Sequence, residues 1–398
     1  MAFDFSTSHC RKDTNAEKYA LREKLFGTHD VLPAWVADMD IDTPPCVLKA
    51  VREKLEQRVM GYEEVPLSLF ETQSRWMRER YGAEYDPELM LYSHSVVATM
   101  NAIIEAFTQK GDGVIVQTPV YPPFFHSVLE HERELIKNPL RQNEEGIYEM
   151  DFEDLESKIT PSTKLLLLCN PHNPVGRAWR NEELERLLAI CKKHEILIFS
   201  DEVHCDLVFA PHIHMPLLNL KGAKERVITA IGVGKTFNMA GFAISSIVFA
   251  DSEIKEQFMP TYKKIHFAQG SSLSHAACES AYEEGGEWLA ELKLHLQKNH
   301  AKLYSLCERY SHAIKLHPLE ATYLAWLDCR GMGLRDRELR DFFIYEAKLG
   351  LSAGISFSRE GSGFMRLNFA LADDKMSLLL GGLESALKKR FGESRDTN

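Results

Sequence analysis

Between residues 113 and 250 the chain alternates short apolar runs with stretches of helical periodicity, and this alternation limits the fold more than any other feature. GVIVQTPV (113–120), KLLLLCN (164–170), ILIFSDE (196–202), RVITAIG (226–232) and ISSIVFA (244–250) read as buried strands. NEELERLLAICKKH (181–194) repeats apolar residues at helical spacing and keeps its charges on the other face. The run from Pro44 to Leu55 and MNAIIEAFTQKG (100–111) also read as helices, the second ended by Gly111. Strands and helices in this order imply an α/β fold, a mainly parallel sheet with helices on both faces. In such sheets ligands bind at the carboxyl ends of the strands, so the residues just after each run are where chemistry is expected.

From about residue 286 the texture changes. GEWLAELKLHLQKNHAKLYSLCERY reads as one long amphipathic helix. ATYLAWLD, a helical DRELRDFFIYEAKLG, a short strand near FMRLNFA (364–370) and a final helix, DDKMSLLLGGLESALKKRF, follow it. The expected division is therefore a large unit over 47–285 and a smaller α+β unit over 286–398. The segment 1–46, containing the extended VLPAWVADMD, is expected to pack against the smaller unit.

The 398 residues are 44% hydrophobic and carry a net charge of −11, which suits a large globular core and argues against nucleic acid or an anionic membrane as partner. The eight cysteines form no C-x-x-C pair, so zinc spacing is missing and no metal is expected. The polar start has no secretory apolar stretch, and no run approaches the roughly 18 residues that span a bilayer. A reduced, cytoplasmic protein is the expectation.

Four chemically capable residues follow strands: Tyr121 after 113–120, Asn173 in CNPHNPVG, Asp201 after ILIFS and Lys235 in GVGKT. An aromatic ring, an amide, a carboxylate and an amine at the ends of one sheet make a ligand constellation, although the acid and amine could simply form a buried ion pair. GVGKT is not a phosphate-binding Walker loop, because Thr229 stands where that motif needs its first glycine. No G-x-G-x-x-G follows the first strand, so dinucleotide binding has no support.

SDEVHCDLVF, CNPHNPVGR, GKTFNMAGF, LPAWVADMD and FMRLNFA together resemble the fold-type I pyridoxal-phosphate (PLP) enzymes of the class I/II aminotransferase superfamily. WVADMD, TPVYPPF and KTFNMAG are most similar to its cystathionine β-lyase branch, the MalY/PatB type that includes cystalysin. The resemblance spans about residues 30–385 and implies a large PLP-binding domain, with a mostly parallel seven-stranded sheet, beside a smaller α+β domain. It also implies roles. Lys235 would carry PLP as a Schiff base and then remove the substrate's Cα proton. Asp201 would keep the pyridine nitrogen protonated, which makes the ring an electron sink. Asn173 would donate to the phenolic oxygen, with His204 in a position where many aminotransferases place a tyrosine for the same purpose. Tyr121 would stack on the ring. Arg366 in FMRLN would hold the substrate α-carboxylate, helped by the backbone N–H of Ala37, and Trp35 would line the pocket or fill core.

At the phosphate the sequence departs from the superfamily pattern. Gly232, Gly234 and Ala243 stand where many members have two serines and an arginine; loss of the arginine is itself a feature of the β-lyase branch. The phosphate would then lean on the N–H groups of Val96 and Val97 in SHSVVATM, where a helix begins. Tyr62 in GYEEVP resembles the tyrosine that reaches the phosphate from the other subunit, which implies a homodimer. The activity implied is a carbon–sulfur β-lyase acting on L-cystathionine or related S-substituted L-cysteines to give a thiol, pyruvate and ammonia. An aminotransferase on the same scaffold, and a regulatory protein binding a partner, are the other readings.

Overall fold

The computed structural model describes residues 3–267 and 270–392. Its larger sheet has seven strands: β1 (Met90–Ser93), β2 (Gly113–Thr118), β3 (Glu134–Pro139), β4 (Thr163–Cys169), β5 (Leu197–Asp201), β6 (Val227–Ile231) and β7 (Ser245–Phe249). They lie in the order β1-β7-β6-β5-β4-β2-β3. β7 runs antiparallel to both of its neighbours, and the other pairs are parallel.

The absence of alternation along β4 has a direct cause. Leu165 and Leu167 pack into one core with Val114 and Val116, while Leu166 and Leu168 pack into another with Ile115 and Ile198. Both faces of the strand are therefore dry, and each position is selected for apolar bulk. Truncating one of these leucines to alanine costs about 2–5 kcal/mol. Helices cover both faces. The helix α1 (Pro45–Leu55) begins on its own proline, and α2 (Leu67–Tyr81) ends on Gly82 in the left-handed conformation. The helix α3 (Val96–Phe107) is capped by Ser95, whose hydroxyl accepts from Ala98 N at 3.1 Å. It stops at Phe107, short of Gly111, because the Thr108 hydroxyl donates to Ile104 O and takes up a terminal carbonyl. Gly111 serves the following turn instead, at φ +89°. The helix α4 (Asn181–Lys193) buries Leu184, Leu187, Leu188 and Cys191, the stripe read from its periodicity.

A second sheet, with order β8-β9-β11-β10, joins β8 (Lys315–Leu316), β9 (Leu324–Asp328), β10 (Ser352–Ala353) and β11 (Phe364–Asn368), all antiparallel. The helices α5 (Ser272–Glu284), α6 (Gly286–Arg309) and α7 (Asp373–Phe391) complete the frame. Among the described residues no helix is long and apolar enough to cross a membrane.

The extended stretch 32–40 is strapped to this second sheet and its surroundings. Leu32 and Pro33 pair in parallel with Leu349 and Gly350. The Asn368 side-chain amide donates to Val36 O at 2.7 Å and Asp38 O at 2.6 Å. Asp38 and Asp40 are held in turn by Arg11 and the buried Lys18. These bonds fix a strand that has no place in the larger sheet, and they bring Trp35 and Ala37 over its carboxyl edge.

Candidate active site

Because β2, β4, β5 and β6 are parallel, the residues that follow them emerge at one edge. A cavity of about 330 Å³ opens there. Tyr121, Asn173, Asp201, His204 and Lys235 line it from the large sheet, Val96 and Val97 from the start of α3, and Trp35, Ala37 and Arg366 from the strap and β11. Tyr62 is absent from this group and lies fully exposed, at 102% of its reference area.

Lys235 and Asp201 form no ion pair. The Lys235 Nζ donates instead to Ala37 O at 2.8 Å, an oxygen that also accepts from the Tyr323 hydroxyl at 2.9 Å. Loss of water, with the Arg366 guanidinium adding to it, lowers the amine to about 8. Roughly a tenth of it is therefore neutral at pH 7. The next residue, Thr236, donates its hydroxyl to Asp206 at 2.9 Å and anchors the turn beneath the lysine.

Asp201 closes β5 and accepts from Val203 N at 3.2 Å. Burial raises its carboxyl to about 7, opposed by that N–H and by Lys235. A cation brought against it would restore the charged form. Burial lowers His204 to about 3, so the imidazole is neutral and carries one donor nitrogen. Neither of its ring nitrogens has a hydrogen-bond partner among the described residues, and Nδ1 is fully buried.

Arg366 is buried on β11. Its Nη1 donates to Asn173 Oδ1 at 3.0 Å and its Nη2 to Trp35 O at 2.7 Å, while its guanidinium carbon lies 4.8 Å from the Phe357 ring centroid. Its Nε is buried without a partner. A guanidinium so fixed is preorganised for a carboxylate. Burial lowers it to about 10. Asn173 spends its oxygen on Arg366, and its amide nitrogen has no acceptor among the described residues. Tyr121 N donates to Asn173 O at 3.1 Å, which ties the ring to the same turn.

Sequence reasoning missed Glu17, His94, Ser95 and Ser245, all of which line the cavity. Ser95 carried a usable signal, as a serine just before an apolar helical run. Glu17 carried none, since its approach depends on the strap. Gly232, Gly234 and Ala243 also line the cavity. A Cβ at Gly232 would stand 3.2 Å from Ser245 Cβ, whereas one at Gly234 would meet nothing nearer than 3.5 Å.

The family model described as aminotransferase class I and II matches residues 36–383. The chain belongs to this family. It is 36% identical to cystathionine β-lyase PatB of Bacillus subtilis (strain 168), over 92% of this chain and 95% of that protein. The structure of cystalysin from Treponema denticola, which contains pyridoxal 5′-phosphate, matches with a TM-score of 0.94 at 31% identity, covering 98% of this chain and 100% of that one. The PLP-bound C–S lyase from Staphylococcus hominis matches with a TM-score of 0.90, also at 31% identity, covering 97% and 98%. The chemistry of the donor set fits that cofactor: an amine of lowered basicity, a strand-end carboxylate, a neutral imidazole and a fixed guanidinium belong to residues that line one cavity.

Proposed function

We propose that the protein is a PLP-dependent carbon–sulfur β-lyase cleaving L-cystathionine or related S-substituted L-cysteines to a thiol, pyruvate and ammonia. The observation that carries this reading is the similarity to cystathionine β-lyase PatB along nearly the whole of both chains. Lys235 would hold the cofactor through Nζ, with Asp201 at its ring nitrogen, Asn173 and His204 at its phenolic oxygen and Tyr121 against its face. The first N–H groups of α3, those of Val96 and Val97, have no partners in the helix and would take the phosphate. Bound there, the cofactor supplies an electron sink for the pair left at Cα.

The chain's own residues do the rest. Arg366 and the N–H of Ala37 clamp the α-carboxylate and turn the Cα–H bond towards Lys235. Lys235 Nζ, partly neutral near pH 7, takes the Cα proton. The Cβ–S bond breaks, the thiolate leaves, and the three carbons and nitrogen that remain take up one water and end as pyruvate and ammonia.

The assembly belongs to the same proposal. Val59, Met60 and Tyr62 are exposed together between α1 and α2, a surface suited to a second copy of this chain, with Tyr62 completing the partner's phosphate site. A cytoplasmic location, and a division into units 47–285 and 286–398 with 1–46 packed on the smaller one, complete the reading. The PLP-loaded protein incubated with L-cystathionine and no keto acid tests the activity. Pyruvate, ammonia and free thiol in equal amounts, lost in Lys235→Ala, are the expected result. No turnover until a 2-keto acid is added would make the protein an aminotransferase instead.

A further inference from the structure

Glu17 opens a short helical turn, Glu17–Ala20, at the mouth of the cavity. The turn is not loose. Lys18 Nζ is buried against Asp38 at 2.8 Å and Asp40 at 3.3 Å, and Lys18 O accepts from the Trp35 indole at 3.2 Å. Trp35 O in turn accepts from Arg366 Nη2 at 2.7 Å, so Glu17 stands on the wall that carries the arginine. Its carboxylate has no ion-pair or hydrogen-bond partner among the described residues, and its field reaches both the Tyr121 hydroxyl and the Lys235 amine.

The charged groups of the cavity can now be assigned one by one. Among the lining residues the only lysine and arginine are Lys235 and Arg366, and the proposed chemistry occupies both, together with Asp201. Glu17 alone remains, at the mouth, where the thioether tail of a substrate must lie once its α-carboxylate is on Arg366. We propose that Glu17 selects substrates whose sulfur carries a cationic tail, such as the distal ammonium of cystathionine, and disfavours tails that end in a lone carboxylate. The inference rests on the lyase reading and names the substrate class of that site.

The test uses the PLP-loaded protein and three thioethers: S-(2-aminoethyl)-L-cysteine, its neutral isostere S-propyl-L-cysteine, and S-carboxymethyl-L-cysteine. Glu17→Gln is expected to lower the aminoethyl-to-propyl ratio of kcat/KM by roughly two- to fivefold, the range of a solvent-exposed pair. It should raise turnover of the carboxymethyl compound and leave the propyl compound unchanged. Salt should shrink the wild-type ratio towards that of the variant. Calorimetric binding of L-lysine and L-2-aminoheptanoic acid, isosteres with no leaving group at Cβ, reads the same selection without turnover. A shift in the lysine-to-aminoheptanoate affinity ratio with no pyruvate from any thioether would sustain the role of Glu17 and sink the lyase reading. Pyruvate with both ratios unchanged in Glu17→Gln would overturn the role and leave the lyase standing.

Discussion

Removing the Asp206 carboxylate should unfasten the turn that carries Lys235, at a cost that follows from three hydrogen bonds. Asp206 is buried, and its Oδ1 accepts from the Trp76 indole at 2.9 Å and from the Tyr81 hydroxyl at 2.7 Å. Its Oδ2 accepts from Thr236 at 2.9 Å, and no lysine, arginine or histidine among the described residues forms an ion pair with it. Three neutral N–H and O–H donors, with the Cys205 thiol at 3.8 Å from Oδ2 as a weaker fourth, therefore do what a counter-cation would otherwise do. The Tyr81 hydroxyl keeps Cys205 O at 3.3 Å, so two donors are left unsatisfied at about 1–3 kcal/mol each. Relief from holding a buried charge returns part of that, so Asp206→Ala should lose ~2–5 kcal/mol. With a melting entropy of about 2.1 cal/mol/K per residue, a chain of 398 residues should melt ~2–6 °C lower. Asp206→Asn keeps one acceptor oxygen and should lose about half as much. Scanning calorimetry of the cofactor-free protein measures both. An alanine variant melting within about 1 °C of wild type, or an asparagine variant worse than alanine, would refute the hydrogen-bond account.

Arg366→Lys cannot reach Asn173 and Trp35 together and still present a planar edge to a carboxylate, so kcat/KM should fall ~10–100-fold, mainly through KM; an unchanged KM would show that the carboxylate binds elsewhere. In the cofactor-free protein, Asp201 raised to about 7 makes the folded state the stronger proton binder, so its contribution to stability falls as pH rises from about 4 to 7. Lys235, lowered to about 8, has the opposite slope from there to about 10.5. Thermal melts of wild type against Asp201→Asn across pH 4–8 should therefore diverge with rising pH, and parallel curves would contradict the assignment. Gly234→Ser has room for its Cβ and should slow loss of PLP during dialysis, while Gly232→Ser, 3.2 Å from Ser245 Cβ, should lower the melting temperature; equal retention by Gly234→Ser and wild type would remove the phosphate end as the weak point.

What could be read beforehand was whatever depends on neighbours in sequence. The run KLLLLCN predicts β4 because both faces of that strand are buried, and α4 is legible because one face is wet. The strand-end placement of Asn173, Asp201 and Lys235 follows from parallel connectivity alone. β3 was not legible: ELIKNP puts a glutamate and a lysine in water on an edge strand, while its buried asparagine is satisfied by Gln117, Asp151 and Asp154, partners far away in the sequence. The end of α3 was misplaced because Thr108 supplies a side-chain bond before Gly111 is reached. Glu17 and the acceptor role of Ala37 O were invisible for a different reason, since they arise only when the strap meets β11 and the lysine turn. Trp35 is drawn into the cavity wall by a carbonyl bond to Arg366, which no side-chain pattern announces.

That strap also sets an order of events during synthesis. The amine, the carboxylate and the amide of the cavity are all made by residue 235, and the sheet that displays them is complete once Phe249 has joined it. The carbonyls of Trp35, Val36 and Asp38, made far earlier, receive donors from Arg366 and Asn368, and Trp35 O from Ser352 as well, while only Asp38 O has an early partner among the described residues, in Lys18. A nascent chain leaving the ribosome thus holds its lysine in place some hundred residues before the wall that clasps a substrate exists. A protein stopped or clipped within β11 would keep the lysine, the aspartate and the asparagine, yet leave residues 35–38 without the Arg366 and Asn368 part of their fastening.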